Sequence, residues 1–115
     1  MFKVITIENK HIPMKSDGGT LREYRHFFKR DMIADLLKLK NGMENNADFD
    51  MEVLENLAWI LAHRANNSIK PIDEWLTQFG NPLSLFESYE KIMEVIDFSN
   101  ATTVQPKKKT RKVKR

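Results

Sequence analysis

Met51-Glu52-Val53-Leu54-Glu55-Asn56-Leu57-Ala58-Trp59-Ile60-Leu61-Ala62-His63-Arg64-Ala65 is the stretch whose reading decides the fold. Met51, Leu54, Ala58, Leu61 and Ala65 recur at spacings of three and four, the period of one helix face, while Val53, Leu57, Trp59 and Ile60 fill the other faces. A helix that is apolar almost all round has to be central, with other elements packed around it. Asp48, Asp50 and Glu52 place carboxylates at its positive end.

Working outward, Pro71 fits the first turn of a further helix, where its missing N–H costs nothing. Ile72, Trp75, Leu76 and Phe79 follow at i, i+3, i+4 and i+7, and Gly80 ends the run. Asn81-Pro82 opens a last helix reaching about Asp97, with Leu85, Phe86, Tyr89, Ile92, Met93 and Ile96 on one side against Glu87, Glu90, Lys91 and Glu94. Upstream, Thr20 and Glu23 have capping-box spacing ahead of the stripe Leu21, Tyr24, Phe27, Phe28. Lys29-Arg30-Asp31 interrupts that stripe, and Asp31 can cap a segment over residues 32–40 that stops at Asn41-Gly42. Residues 43–48 read as a polar loop.

At the N-terminus, residues 2–7 are β-rich, Glu8-Asn9-Lys10-His11 has turn character, and residues 12–15 return as a second strand. Ile5, Ile7, Ile12 and Met14 are its candidate core contacts, and Pro13 confines the sheet to edge strands. The expected fold is therefore mostly α: four to five helices in a small orthogonal bundle with an N-terminal β-hairpin over residues 1–98. Residues 99–115 read as a disordered linker and basic tail, and Trp59 and Trp75 should both be buried.

The chain has 115 residues and no cysteine, one domain's worth without thiol nucleophile, thiolate metal site or disulfide. No apolar run approaches a signal h-region or a membrane span, so the expectation is a soluble, cytoplasmic protein. His11, His26 and His63 fall in different elements without metal-ligand spacing, and His63 suits a helix C-terminus. Gly18-Gly19 lacks the context of a phosphate loop. The carboxylate pairs Asp73-Glu74 and Glu87/Glu90 sit where helix starts and polar faces already explain them. The reading is a protein with no catalytic residues, cofactor or metal.

Charge divides the chain. Lys107, Lys108, Lys109, Arg111, Lys112, Lys114 and Arg115 carry seven positive charges in nine residues, which leaves 12 basic against 16 acidic groups elsewhere. Residues 1–40 hold nine Lys/Arg and five Asp/Glu, whereas residues 41–98 hold three and eleven, an asymmetry that suits self-association or docking. Without interleaved aromatics, the tail could attract nucleic acid only non-specifically, so solubilisation or docking to an acidic protein surface is the favoured reading.

Two motifs, Tyr24-Arg25-x-x-Phe28-x-Arg30-Asp31 with Met32-Ile33-x-Asp35-Leu36, and Ile72-x-x-Trp75-Leu76-x-x-Phe79, together with the hairpin resemble the tail assembly chaperones of long-tailed (siphovirus-type) phages and prophages of Gram-positive bacteria. Where that pattern has Gly ahead of the Arg-Asp pair, this chain has Lys29. The resemblance spans about residues 1–98. It implies a non-catalytic helical protein that coats the tape measure protein in the bacterial cytoplasm, keeps it soluble and is displaced as tail tube subunits polymerise, so that it is missing from the mature virion. Arg25, Arg30 and Asp31 are its candidate partner contacts, with pairing or capping inside the domain as the alternative for Arg30 and Asp31. The second functional reading is a small phage- or prophage-encoded nucleic-acid-binding regulator. Its recognition helix would be residues 21–40, where Phe27, Phe28, Leu36 and Leu37 compete for the surface.

Because no apolar period ties the tail to the core, deleting residues 107–115 should leave the thermal midpoint within about 5 °C of the full chain's. Calorimetry of the two chains checks this. Any nucleic-acid binding should vanish with the tail and weaken steeply with salt.

Overall fold

The computed structural model describes residues 1–46 and 48–97. Its elements are β1 (Phe2–Ile7), β2 (Lys10–Lys15), α1 (Thr20–Phe28), α2 (Met32–Glu44), α3 (Met51–Ala65), α4 (Ile72–Leu76), α5 (Ser84–Glu87) and α6 (Tyr89–Ile96). Helix α3 is the hub, contacted by β2 and by every other helix. Leu54, Leu57, Ile60 and Leu61 are fully buried, each contributing about 1.5–3 kcal/mol relative to exposure. The Asp50 side chain caps α3, accepting the Val53 N–H at 3.3 Å. Trp59 and Trp75 are both buried, as the apolar pattern requires.

The hairpin is antiparallel, pairing Phe2 with Lys15, Ile5 with Ile12 and Ile7 with Lys10. Ile5, Ile7, Ile12 and Met14 all face the core. The turn is tighter than the four residues expected: only Glu8 and Asn9 form it, both at positive φ (55° and 67°), while Lys10 and His11 belong to β2. The Glu8 carboxylate then straps a distant segment, accepting the N–H groups of Gly80 and Asn81 at 2.9 Å and the Ser84 hydroxyl.

Among the described residues, six helical segments, five of them around the hub α3, replace the four to five helices of an orthogonal bundle. The expected last helix breaks at Ser88, whose N–H reaches back three residues to Leu85 O at 3.0 Å rather than four. The offset changes which side chains face inward: Val95 is buried, and Phe86 is exposed. Helix α2 runs past Asn41-Gly42 to Glu44 and takes Met43 out of the expected loop. Gly42 serves another purpose there, since a Cβ would lie 2.7 Å from Asp48 O, and the backbone of the returning loop passes across it.

The capping box also gives way. Thr20 is the first residue of α1, and its hydroxyl accepts the Asp17 N–H at 2.9 Å instead of capping the helix. The Glu23 carboxylate turns to α3, 3.4 Å from His63 Nδ1 and 3.6 Å from an Arg64 nitrogen, because a cation across the core outcompetes a local amide. The linker and basic tail lie outside the described residues. Among the described residues, no helix is long and apolar enough to cross a membrane.

The Ser84 hydroxyl and then the Gly80 and Asn81 amides hold the Glu8 carboxyl below its ordinary value. A depressed pKa contributes stability above the unfolded value, near 4.3, that is lost as the pH falls through the folded one. Glu8→Gln should therefore lower the melting temperature at pH 7, and the gap to the native chain should narrow by pH 3; melting curves at both pH values decide it.

Candidate functional site

Helices α1 and α2 meet at a turn built by Lys29, Arg30 and Asp31. Lys29 ends α1 in the left-handed region, φ 57°, with its N–H on Arg25 O at 2.8 Å. Glycine adopts that conformation at no steric cost, and a lysine adopts it only where neighbours hold it. Two anchors do so. Asp31 caps α2, its Oδ1 accepting the Ile33 N–H at 2.9 Å and the Ala34 N–H at 3.4 Å. Arg30 reaches forward to Asp35 in a two-pronged bridge, Nε to Oδ2 at 2.7 Å and Nη2 to Oδ1 at 2.8 Å.

Asp35 is only 5 % exposed, and the Tyr24 hydroxyl also donates to its Oδ2 at 2.7 Å. The Arg30 guanidinium, assisted by Tyr24, holds the Asp35 carboxyl below the ordinary carboxylate range against the effect of burial. Burial and then the Asp35 hydrogen bond push the Tyr24 phenol up. Arg30 and Asp31 are thus occupied within the domain. Arg25 is exposed and has no ion pair among the described residues, which leaves it available to a partner.

Beside this junction lies a groove between the end of α1, the outer half of α3 and the start of α4. Phe27, Phe28, Trp59, His63, Ile69 and Ile72 line it. Phe27 is 44 % exposed, yet its ring packs edge-on to Trp59 and His63, both centroids 5.0 Å away. His63 stacks on Trp59 at 4.7 Å and 21°. The indole is locked by its N–H, which donates to Lys70 O at 2.9 Å. Rings held this way present a preformed apolar surface that needs little ordering on contact.

Past Phe28 and Ile72 the groove turns acidic, with Glu52 and Glu55 from α3 and Asp73 from α4 along one wall and Lys29 and Arg30 opposite. Burial, reinforced by Glu52 and Asp50, raises the Glu55 carboxyl. None of Glu52, Glu55 and Asp73 has an ion-pair partner among the described residues. The arrangement suits an amphipathic helix whose apolar anchors fill the aromatic half and whose Lys or Arg side chains meet the acidic half. Among the described residues, no group of three or more His, Asp or Glu could hold a metal ion.

Sequence reasoning placed Phe27 in the core stripe of α1 and so missed the groove. The pattern held no warning, because Leu21, Tyr24, Phe27 and Phe28 share one helix face of ordinary width, and the structure leaves the two at its edges, Leu21 and Phe27, exposed. The basic residues of the tail lie outside the described residues. The chain matches no protein-family model, no curated protein and no solved structure.

Asp35 organises the junction, and its loss should be costly. Asp35→Asn removes the charge that Arg30 and Tyr24 both engage and should cost about 2–3 kcal/mol in urea unfolding. A loss below about 1 kcal/mol would mean that packing alone sets the turn.

Proposed function

We propose that this chain is a phage tail assembly chaperone that binds the tape measure protein, keeps it soluble and helps to recruit tail tube subunits. The observation that carries this reading is the groove of α1, α3 and α4, half aromatic and half acidic, beside the motif over residues 24–36 on which the resemblance rests. A chaperone for a very long helical protein has to bind many segments of similar character rather than one sequence. A rigid aromatic strip with an adjoining acidic wall selects that character: an apolar helix face followed by basic residues. Repetition along the partner then turns weak single contacts into a stable coat. Arg25, on the exposed face of α1, is the cation best placed to contribute specificity at the rim of such a complex.

On this reading the protein performs no chemistry, acts in the cytoplasm of the bacterial host and leaves before the virion is complete. Self-association along the coat is compatible with the division of charge between residues 1–40 and 41–98. The regulator reading is less well supported, since it needs residues 21–40 as one recognition helix, and the turn at Lys29–Asp31 divides them.

Coexpression with the tape measure protein should keep that partner soluble and yield a complex with several chaperone copies per chain. Phe27→Asp, at an exposed position, should leave the fold intact by circular dichroism and lower the soluble partner at least about tenfold, the loss expected of an aromatic anchor. A partner that stays insoluble beside the folded native chain, or is equally soluble with the Phe27 variant, would remove the groove from this role.

A further inference from the structure

A second surface, away from the aromatic groove, lies between α2 and α6. Met43 from α2 and Tyr89 and Met93 from α6 line it together with Glu44, Glu90 and Glu94, three carboxylates against the single cation Lys40. We propose that the basic segment at residues 107–115 docks in this cleft of its own chain. The inference is independent of the chaperone reading.

Charge is the first argument. The segment brings seven positive groups and no acid, and residues 41–98 carry the excess of carboxylates that can receive them. Glu90 has no ion-pair partner among the described residues. Glu44 meets Lys40 only at 3.9 Å, and Glu94 pairs with Lys3 at 2.9 Å across the surface. Exposed pairs of this kind are weak and exchange readily, so a run of Lys and Arg can compete for these carboxylates. Burial, and then Glu44 and Glu90, raise the Tyr89 phenol, which places the field of both carboxylates at the phenol.

The lining matches the chemistry of the occupant. Lysine and arginine lay their apolar stems along hydrophobic surface while their charged heads reach outward. Methionine adapts to such stems, and the face of a tyrosine ring attracts a guanidinium or ammonium group.

Chain geometry is the third argument. Helix α6, from which the chain continues to the basic segment, itself supplies Tyr89, Glu90, Met93 and Glu94. Glu90 lies only six residues before Ile96, a helical rise of about 9 Å. Residues 98–106 intervene, and nine residues can span up to about 30 Å, so the segment reaches back without constraint. The unpaired carboxylates of the first groove, Glu52, Glu55 and Asp73, belong to α3 and α4, not to the helix from which the segment departs.

Methionine-methyl NMR of the full chain tests the proposal, with Met43 and Met93 as reporters and the buried Met14 and Met32 as controls. The reference carries K107S, K108S, K109S, R111S, K112S, K114S and R115S together. At low salt the Met43 and Met93 signals of the native chain should be displaced from those of the reference, and the displacement should disappear at about 0.5 M salt. E44Q/E90Q/E94Q should abolish it too, and trypsin should then cut the segment about fivefold faster than in the native chain. Coincident reporter signals in the native and reference chains at low salt would overturn the proposal. So would a displacement that E52Q/E55Q/D73N abolishes while E44Q/E90Q/E94Q does not. A displacement that grows with protein concentration would assign the cleft to the segment of a second copy and overturn docking within one chain.

Discussion

A helix apolar almost all round cannot be left on a surface, and the rest of the domain follows from covering α3. Val53, Leu54, Leu57, Ala58, Trp59, Ile60, Leu61 and Ala62 are all buried, so one partner element would not suffice. The hairpin closes one side with β2, α1 and α2 close another, and α4 to α6 close the remainder. Short elements are enough because none has to form a core of its own. A two-stranded sheet is marginal alone and here is held by α3, while the four residues of α5 need only deliver Leu85 to the same core.

Where covering is incomplete, polar anchors decide how the remaining surface is shaped. Tyr24 is fully buried and fixes α1 to α2 through Asp35, and its ring lies 5.0 Å from that of Phe28. Arg30 completes the anchor from the turn. Phe27 and Phe28 are thereby presented together at the outer edge of Trp59, one half-exposed and one turned in. The groove is a consequence of the junction. That links the two ends of the motif over residues 24–36: Arg30 and Asp31 set the turn, and Phe27 and Phe28 just before them form one wall of the groove.

Much of this architecture was legible in the sequence because burial is periodic. The all-round apolar pattern of residues 51–65 identified the hub, alternation placed Ile5, Ile7, Ile12 and Met14 inward, and Asp31 read correctly as a cap. The failures share a cause, namely long-range partners that local pattern cannot contain. Glu23 left its capping box for His63 and Arg64, forty residues away, and Glu8 reaches from the hairpin turn to bind Gly80, Asn81 and Ser84. Gly42 looked like a stop because glycine usually is one, yet it answers the backbone at Asp48. For the site, the residues of the turn were found and the groove was not, since an exposed aromatic at helical spacing has the same sequence signature as a buried one.

The carboxylates separate into two populations, and the separation bears on what the protein binds. Glu8, Asp17, Glu23, Asp31, Asp35, Glu44, Asp50 and Glu94 each accept a hydrogen bond or hold an ion pair. Asp48, Glu52, Glu55, Asp73, Glu74, Glu87 and Glu90 have no ion pair among the described residues. All of the second population lies after residue 47, whereas five of the eight in the first lie within the first 40 residues. Among the described residues, Arg30 is engaged by Asp35 and Arg64 by Asp17 and Glu23, while Lys38, Lys40 and Lys3 meet Asp50, Glu44 and Glu94, so only part of the acidic excess of residues 41–98 is engaged in ion pairs. Glu52, Glu55 and Asp73 beside the aromatic groove, and Glu90 in the methionine-lined cleft, are carboxylates without an ion pair among the described residues, so each surface keeps negative charge with which a cationic group can pair.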